Sequence, residues 1–144
     1  MKVEGILRKK GGGVATITPQ ATVAMAIHQL TAKGIGALVV STDGEHIQGV
    51  ISDRDVVHAL ARHGTGLMGM RVGEVMSTVV PVCSPEATIK DVMARMTTSR
   101  QRHLPVVEGG RLCGIVSIGD VVKNRLEELE LETIVLREAY IAHR

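Results

Sequence analysis

The sequence predicts a mixed α/β (α+β) fold: two β-α-β-β-α units packed sheet to sheet, followed by a long C-terminal helix. Three observations predict it. The chain repeats itself at a spacing of about 66 residues over most of its length, the signature of a duplicated supersecondary unit. Each copy alternates short apolar runs with helical stripes, so strands and helices interleave. The last segment then continues far beyond its counterpart in the first copy without a Gly or Pro.

The repeat aligns residue by residue. Val14-Ala-Thr-Ile-Thr-Pro-Gln-Ala-Thr-Val23 lies against Val80-Pro-Val-Cys-Ser-Pro-Glu-Ala-Thr-Ile89, and Leu38 and Val40 lie against Leu104 and Val106. Gly49-Val-Ile-Ser-Asp-Arg-Asp-Val-Val57 lies against Gly114-Ile-Val-Ser-Ile-Gly-Asp-Val-Val122. A one-residue deletion between these blocks falls in the polar turns Asp43-Gly44 and Glu108-Gly109-Gly110, where a change of length costs little. The lead-ins echo each other as well: Val3-Glu-Gly-Ile-Leu7 resembles Val72-Gly-Glu-Val-Met76. The first copy inserts Arg8-Lys-Lys-Gly-Gly-Gly13 before its first strand.

Within the first copy, Val14 to Thr18 reads as a strand. Thr22 suits an N-cap, and Val23, Ala26, Ile27 and Leu30 follow at helical spacing. Gly34 fits the position just past the helix end. The second copy repeats this with Thr88, Ile89, Val92, Met93 and Met96. Two more strands follow in each copy, Gly36 to Val40 and Ile47 to Ser52, then His103 to Val107 and Leu112 to Ser117. Helices open at Asp53 and Gly119, and the glycine-rich connector Gly64 to Met70 separates the copies. The expected boundaries are 1–70 for the first unit with its lead-in and connector, 71–126 for the second, and 127–144 for a helical extension. One such unit is too small to bury both faces of its sheet, so the pair is expected to share a single core.

The final helix is expected from about Asp120 to about His143. Val122, Leu126, Leu129, Thr133, Leu136 and Tyr140 fall at alternating steps of four and three, a heptad-like seam. At 1.5 Å per residue it would be roughly 36 Å long. The seam either packs on its own domain or binds a second copy.

Composition narrows the function. The 17 basic and 15 acidic residues leave a net charge of +2, too little to imply a nucleic-acid surface. There is no Trp or Phe and one Tyr, Tyr140, so the aromatic platforms that stack single-stranded bases are missing. No apolar run approaches the ~20 residues needed to cross a bilayer, and the N-terminus carries no long apolar region of a signal peptide. Cys83 and Cys113 sit in apolar, strand-like runs without a nearby His. They read as buried, reduced thiols rather than zinc ligands. A cytoplasmic location is the expectation. His58 and His63 do not share a helix face, and His28, His46 and His143 are unclustered. Lys9-Lys10-Gly11-Gly12-Gly13 lacks the order of a phosphate-binding P-loop and precedes no helix. No nucleophile with an adjacent base and no paired carboxylates for acid–base work are evident, so no enzyme activity is expected.

The informative element occurs twice at a strand-to-helix junction: Gly49-Val-Ile-Ser52-Asp-Arg-Asp55 and Gly114-Ile-Val-Ser117-Ile-Gly-Asp120. Unpaired N–H groups at a helix start suit an anion such as phosphate. Serine can donate to a phosphate oxygen, and the aspartate carboxylate can accept two hydrogen bonds from a ribose diol. The alternative is that Ser and Asp simply cap the helix. Two copies at matched positions favour ligand binding.

The paired Pro-x-Ala-Thr openings, the paired Gly-h-h-Ser-x-x-Asp endings (h, any apolar residue) and the period resemble a tandem of CBS domains, a Bateman module, over about residues 2 to 126. The resemblance implies a pseudo-twofold, disc-like regulatory module, without catalysis, that binds adenosyl ligands in clefts between the copies. AMP, ATP or NAD(H) are the expected ligands, with S-adenosylmethionine behind them. By resemblance, one cleft would use Ser52, Arg54 and Asp55 with Thr78, Val79, Gln101, Arg102 and His103. The other would use Ser117, Gly119 and Asp120 with the Gly11-Gly12-Gly13 loop and Ile35, Gly36 and Ala37. Arg100, Arg102 and His103 would balance phosphate, while Asp53, where the second copy has Ile118, weakens the first cleft. The expected partners are an adenine nucleotide, a second copy of the chain and an unidentified regulated protein. The competing reading is a structural dimer module whose ligand sites are vestigial.

Overall fold

The protein was analysed as a computed structural model, which describes residues 1–11 and 13–142. Helix α1 (Val3–Lys10) precedes a first repeat made of β1 (Thr16–Ile17), α2 (Val23–Lys33), β2 (Ala37–Val40), β3 (Gly49–Ser52) and α3 (Asp53–His63). A 3-10 turn, Gly64–Gly69, and the short helix α4 (Val72–Val75) lead to the second repeat. That repeat contains α5 (Ile89–Ser99), β4 (His103–Glu108), β5 (Arg111–Ser117) and α6 (Ile118–Ala142). In the first sheet β1 runs parallel to β2, and β2 antiparallel to β3. In the second, β4 pairs antiparallel with β5, and the counterpart of β1 is reduced to a parallel bridge between Cys83 and Val106.

Local chemistry sets these elements as the sequence suggested. The Thr22 hydroxyl accepts from the Met25 N–H at the start of α2, and Gly34 closes that helix in the left-handed region at φ 62°. Thr88 and Asp91 form a reciprocal capping box on α5. The residue equivalent to Gly34 is Arg100, at φ 57°, the one non-glycine with positive φ among the described residues.

The core differs from the expected arrangement. The buried residues form two clusters rather than one shared core. Ile17, Ala26, Leu38, Val40 and Ile51 of the first repeat are closed by Val72 from the lead-in of the second. Val92, Met96, Leu104, Val106 and Val116 of the second repeat are closed by Val3 and Ile6 from the lead-in of the first. Backbone bonds fasten both exchanges: the Val3 N–H donates to Ala87 O at 2.9 Å, and the Val72 N–H donates to Ala21 O at 2.8 Å. Each unit thus borrows the apolar turn that completes it, which is why neither copy is self-sufficient.

The glycine that opens each repeated motif belongs to this exchange. A Cβ at Gly114 would lie 2.6 Å from Leu7 Cδ2, and a Cβ at Gly49 would lie 2.7 Å from Met76 Sδ and from Ser77 O. Leu7 and Met76 are the last residues of the two matching lead-ins, and each presses on the strand of the opposite repeat.

The seam of α6 is largely open. Val121 and Asn124 are buried, whereas Val122, Leu126, Leu129, Leu136 and Tyr140 are exposed. Cys83 is buried but Cys113 is exposed, contrary to the expected burial of both. Cys113 falls at the register shift opposite Val106 and Val107, where β5 turns its side chain outward. Among the described residues no helix is long and apolar enough to cross a membrane.

Candidate functional site

Both motifs stand where a strand hands its backbone to a helix. At the end of β3, Ser52 is extended (φ −112°) and caps α3. Its N–H donates to Asp55 Oδ2 at 2.8 Å, and the Asp55 N–H donates back to Ser52 Oγ at 3.2 Å. At the end of β5 the same box recurs, with the Ser117 N–H donating to Asp120 Oδ2 at 2.9 Å and the Asp120 N–H donating to Ser117 Oγ at 3.1 Å. The four side chains expected to hold a ligand are thus the ones that cap the two helices. A carboxylate carries about four acceptor sites, so a cap leaves capacity for a diol.

The strand starts opposite these caps are arranged alike. The Asp53 N–H donates to Gly36 O at 2.9 Å, and the Ile118 N–H donates to Arg102 O at 2.8 Å. The two starts meet at Gly36 and His103. A Cβ at Gly36 would lie 3.0 Å from the His103 ring and 3.7 Å from Asp53 Oδ2, so a larger residue there would require the ring to shift by a few tenths of an ångström. Arg102 Nη2 stands 3.7 Å from Asp53 Oδ1. His103 is pushed below its ordinary pKa, first by burial, then by Arg102 and Lys10, with Asp53 and Asp120 pulling the other way. One imidazole thus senses the charges of both clefts.

In the first cleft the structure does not bring Thr78 and Val79 to Ser52 and Asp55: Ser77 bridges antiparallel to Val50 on β3, a register that carries the two residues after it away from Ser52, and Thr78 lines a hollow with His46, Ile47 and Gln48 instead. The guanidinium beside Asp53 is that of Arg102. Arg54 is exposed, and its N–H donates to Asp53 Oδ1 at 2.8 Å. Gln101 and Arg102 also line a pocket of about 250 Å³ with Arg100, Met93, Met96, Ile118 and Val121. That places Arg100 beside α5 and α6 rather than against Ser117.

In the second cleft Ala37 was expected beside Ser117, but it is buried opposite Ser52 across β2 and β3, and the strand start paired with Ser117 is His103; Ile35 is exposed. A Cβ at Gly119 would meet only Ser117 Oγ, at 3.6 Å, an ordinary contact, so that glycine is not required by space. Gly11 and Gly13 adopt φ 82° and 96°, while Gly12 lies outside the described residues. Lys10, not among the expected site residues, joins this cleft. Lys10 Nζ donates to Asp120 Oδ2 and to Ile115 O, each at 2.9 Å. Burial opposes ionisation of Asp120, but the Ser117 N–H and the Lys10 ammonium outweigh it and hold the carboxyl below its usual value. The only signal for Lys10 was the basic insertion after the first lead-in, which the repeat alignment leaves without a counterpart.

Known proteins bear on this arrangement. The CBS-domain family model matches residues 3–62 and 72–127. The mitochondrial CBS domain-containing protein CBSX3 of Arabidopsis thaliana is 31% identical over 96% of this chain and 71% of its own length. YhcV of Bacillus subtilis is 33% identical over 78% of this chain and 79% of its own. The crystal structure of the CBS-domain containing protein ATU1752 from Agrobacterium tumefaciens superposes with a TM-score of 0.83 at 40% identity, covering 87% of this chain and 99% of that one. CBSX2, solved in complex with AMP, shares the fold at a TM-score of 0.73 and 24% identity, over 88% of this chain and 97% of its own. With both repeats matched, and each built on the other's lead-in, this chain belongs to the CBS-domain family as a tandem pair.

Proposed function

We propose that this tandem CBS regulatory module is a non-catalytic sensor of adenine nucleotides, AMP, ATP or NAD(H), bound in the clefts headed by Ser52/Asp55 and Ser117/Asp120. The observation that carries the reading is the duplicated Ser–Asp box at two matched helix starts. Each presents a carboxylate for a ribose diol; the first three N–H groups of α3 are already bound to Gly36 O, Asp53 Oδ1 and Ser52 Oγ, so phosphate there would be met by side-chain cations. That CBSX2 was solved with AMP is a fact about CBSX2, and it supports the reading by showing that this fold accommodates the ligand.

A thermal-shift panel tests it. A ligand that binds at about 1 μM to 1 mM, supplied at 100 times its Kd, stabilises the fold by about 2.7 kcal/mol. AMP, ATP or NAD should raise the Tm, while ribose and inorganic phosphate should do much less. A flat response to every adenosyl compound removes the sensor reading. The second reading, a structural dimer module with vestigial sites, draws on the exposed apolar seam of α6, and it alone survives that flat response.

A further inference from the structure

We infer that Lys10 selects the ligand at the Ser117–Asp120 cleft, favouring phosphorylated adenosyl compounds over neutral or cationic ones. The inference deepens the nucleotide-sensor reading and rests on it. Lys10 is the last residue of α1, so the exchanged lead-in that closes the core of the second repeat also delivers a cation to that repeat's own helix cap. Its ammonium sits on Asp120 Oδ2, an oxygen that a ribose diol engaging both carboxylate oxygens must share or take. The neighbouring ammonium, Lys9 Nζ, is held elsewhere, 3.1 Å from Glu127. Lys10 is therefore the basic residue of this turn that meets the carboxylate.

The consequence is an exchange of partners. A ribose arriving at Asp120 displaces an ammonium from a charge-assisted bond, and the displaced cation must find another anion or remain uncompensated. A phosphate on the same ribose supplies that anion within reach of a flexible four-carbon stem. Adenosine supplies none, and the sulfonium of S-adenosylmethionine adds a like charge. Room for the movement exists: Lys10 is partly exposed, and beyond it a Cβ built on Gly11 or on Gly13 would meet nothing within 4 Å.

Titration calorimetry at fixed salt and pH tests this with AMP, adenosine and S-adenosylmethionine on the wild type, Lys10→Met, Lys10→Arg and Lys9→Met. The wild type should bind AMP roughly 10- to 150-fold more tightly than adenosine, the range of one hydrogen bond to a charged group. Lys10→Met should collapse that ratio, weakening AMP and tightening adenosine. Lys10→Arg should preserve it, and so should Lys9→Met. A ratio unchanged in Lys10→Met overturns the inference while leaving the sensor reading intact. Failure of AMP to bind any form overturns the inference, and the sensor reading falls with it only if ATP and NAD also leave the Tm unchanged. A Tm for each variant, measured without ligand, separates loss of binding from loss of fold.

Discussion

Leu7 packs so closely on β5 that a Cβ at Gly114 would lie 2.6 Å from its Cδ2. The equivalent approach on β3 is made at Gly49 by Met76 Sδ and by the backbone carbonyl of Ser77, both at 2.7 Å from such a Cβ. Glycine in a strand is ordinarily a weakness. Here it is the seat of the exchanged lead-in.

Adding a methyl group at these seats separates two kinds of obstacle. Gly114→Ala meets the end of a leucine side chain, which can turn to another rotamer. Gly49→Ala meets a carbonyl held by the Val50–Ser77 bridge, which cannot move without breaking it. Overpacking costs about 1–3 kcal/mol. Gly49→Ala should fall at the upper end and Gly114→Ala at the lower, as read from denaturant midpoints. The double variant Leu7→Ala/Gly114→Ala should lose less than the sum of its single changes. Strict additivity would show that Leu7 is not what the methyl group meets.

The order of elements was legible in the sequence because caps and periodicity are local. Thr22, Gly34 and Thr88 act where their residue types suggested. The repeat alignment matched Leu7 with Met76, yet nothing local to either residue says that each lead-in crosses to the other repeat. That crossing is a long-range choice, decided by which apolar face remains uncovered. It also explains why Lys10 was not legible as a site residue: its partner Asp120 lies on the opposite repeat. The Ser–Asp pairs were legible because both members sit within four residues of each other.

His103 gives stability an acid-side dependence in the ligand-free protein. Burial, reinforced by Arg102 and Lys10, lowers its folded pKa below 6.5, against the pull of Asp53 and Asp120. The unfolded chain then binds more protons than the fold between that lowered value and 6.5, so stability rises with pH across this window. The contribution is fully present above the unfolded value and is lost as pH falls toward the folded one. Between about pH 7.5 and 5.5 the wild type should lose more Tm than His103→Gln does. Equal losses in both would place the imidazole outside any such role.

The exposed thiol should react alone. Burial raises the Cys83 pKa to about 11, which suppresses its thiolate, and the side chain is enclosed. Reaction depends on the thiolate and on access. Burial and the Glu108 carboxylate raise the Cys113 pKa too, so a chromogenic disulfide at neutral pH should titrate Cys113 first, more slowly than a free thiol, and Cys83 only after denaturation. Prompt reaction of both would mean that the bridge between Cys83 and Val106 opens readily.

The apolar seam of α6 is expected to bind a second copy. Val122, Leu126, Leu129, Leu136 and Tyr140 are each at least 42% exposed, more than a monomer gains by leaving them in water. Light scattering should give about 31 kDa, twice the chain's 15.4 kDa, for a closed twofold pair. Truncation after Leu126 should weaken that association. A truncated chain that associates as tightly would move the interface to the repeats themselves.

The two clefts should differ in affinity, and the difference follows from charge. At the Ser52–Asp55 cleft, the helix start carries Asp53, which opposes phosphate at short range and engages Arg102 at 3.7 Å. At the Ser117–Asp120 cleft the matching position is the apolar Ile118, and Lys10 adds a cation 2.9 Å from the carboxylate. The second cleft should therefore be the tighter for AMP. Asp120→Asn can keep an oxygen for the cap but gives up the charged acceptor facing the ribose. A hydrogen bond to a charged group contributes about 1.5–3 kcal/mol, so the tighter phase should weaken roughly 10- to 150-fold. Asp55→Asn should leave that phase nearly unchanged and weaken the other. Calorimetry on the wild type and both variants decides the ranking. If Asp55→Asn abolishes the tighter phase and Asp120→Asn spares it, then Arg102 and Arg54 serve phosphate more effectively than Lys10 does, and the charge argument fails at the first cleft.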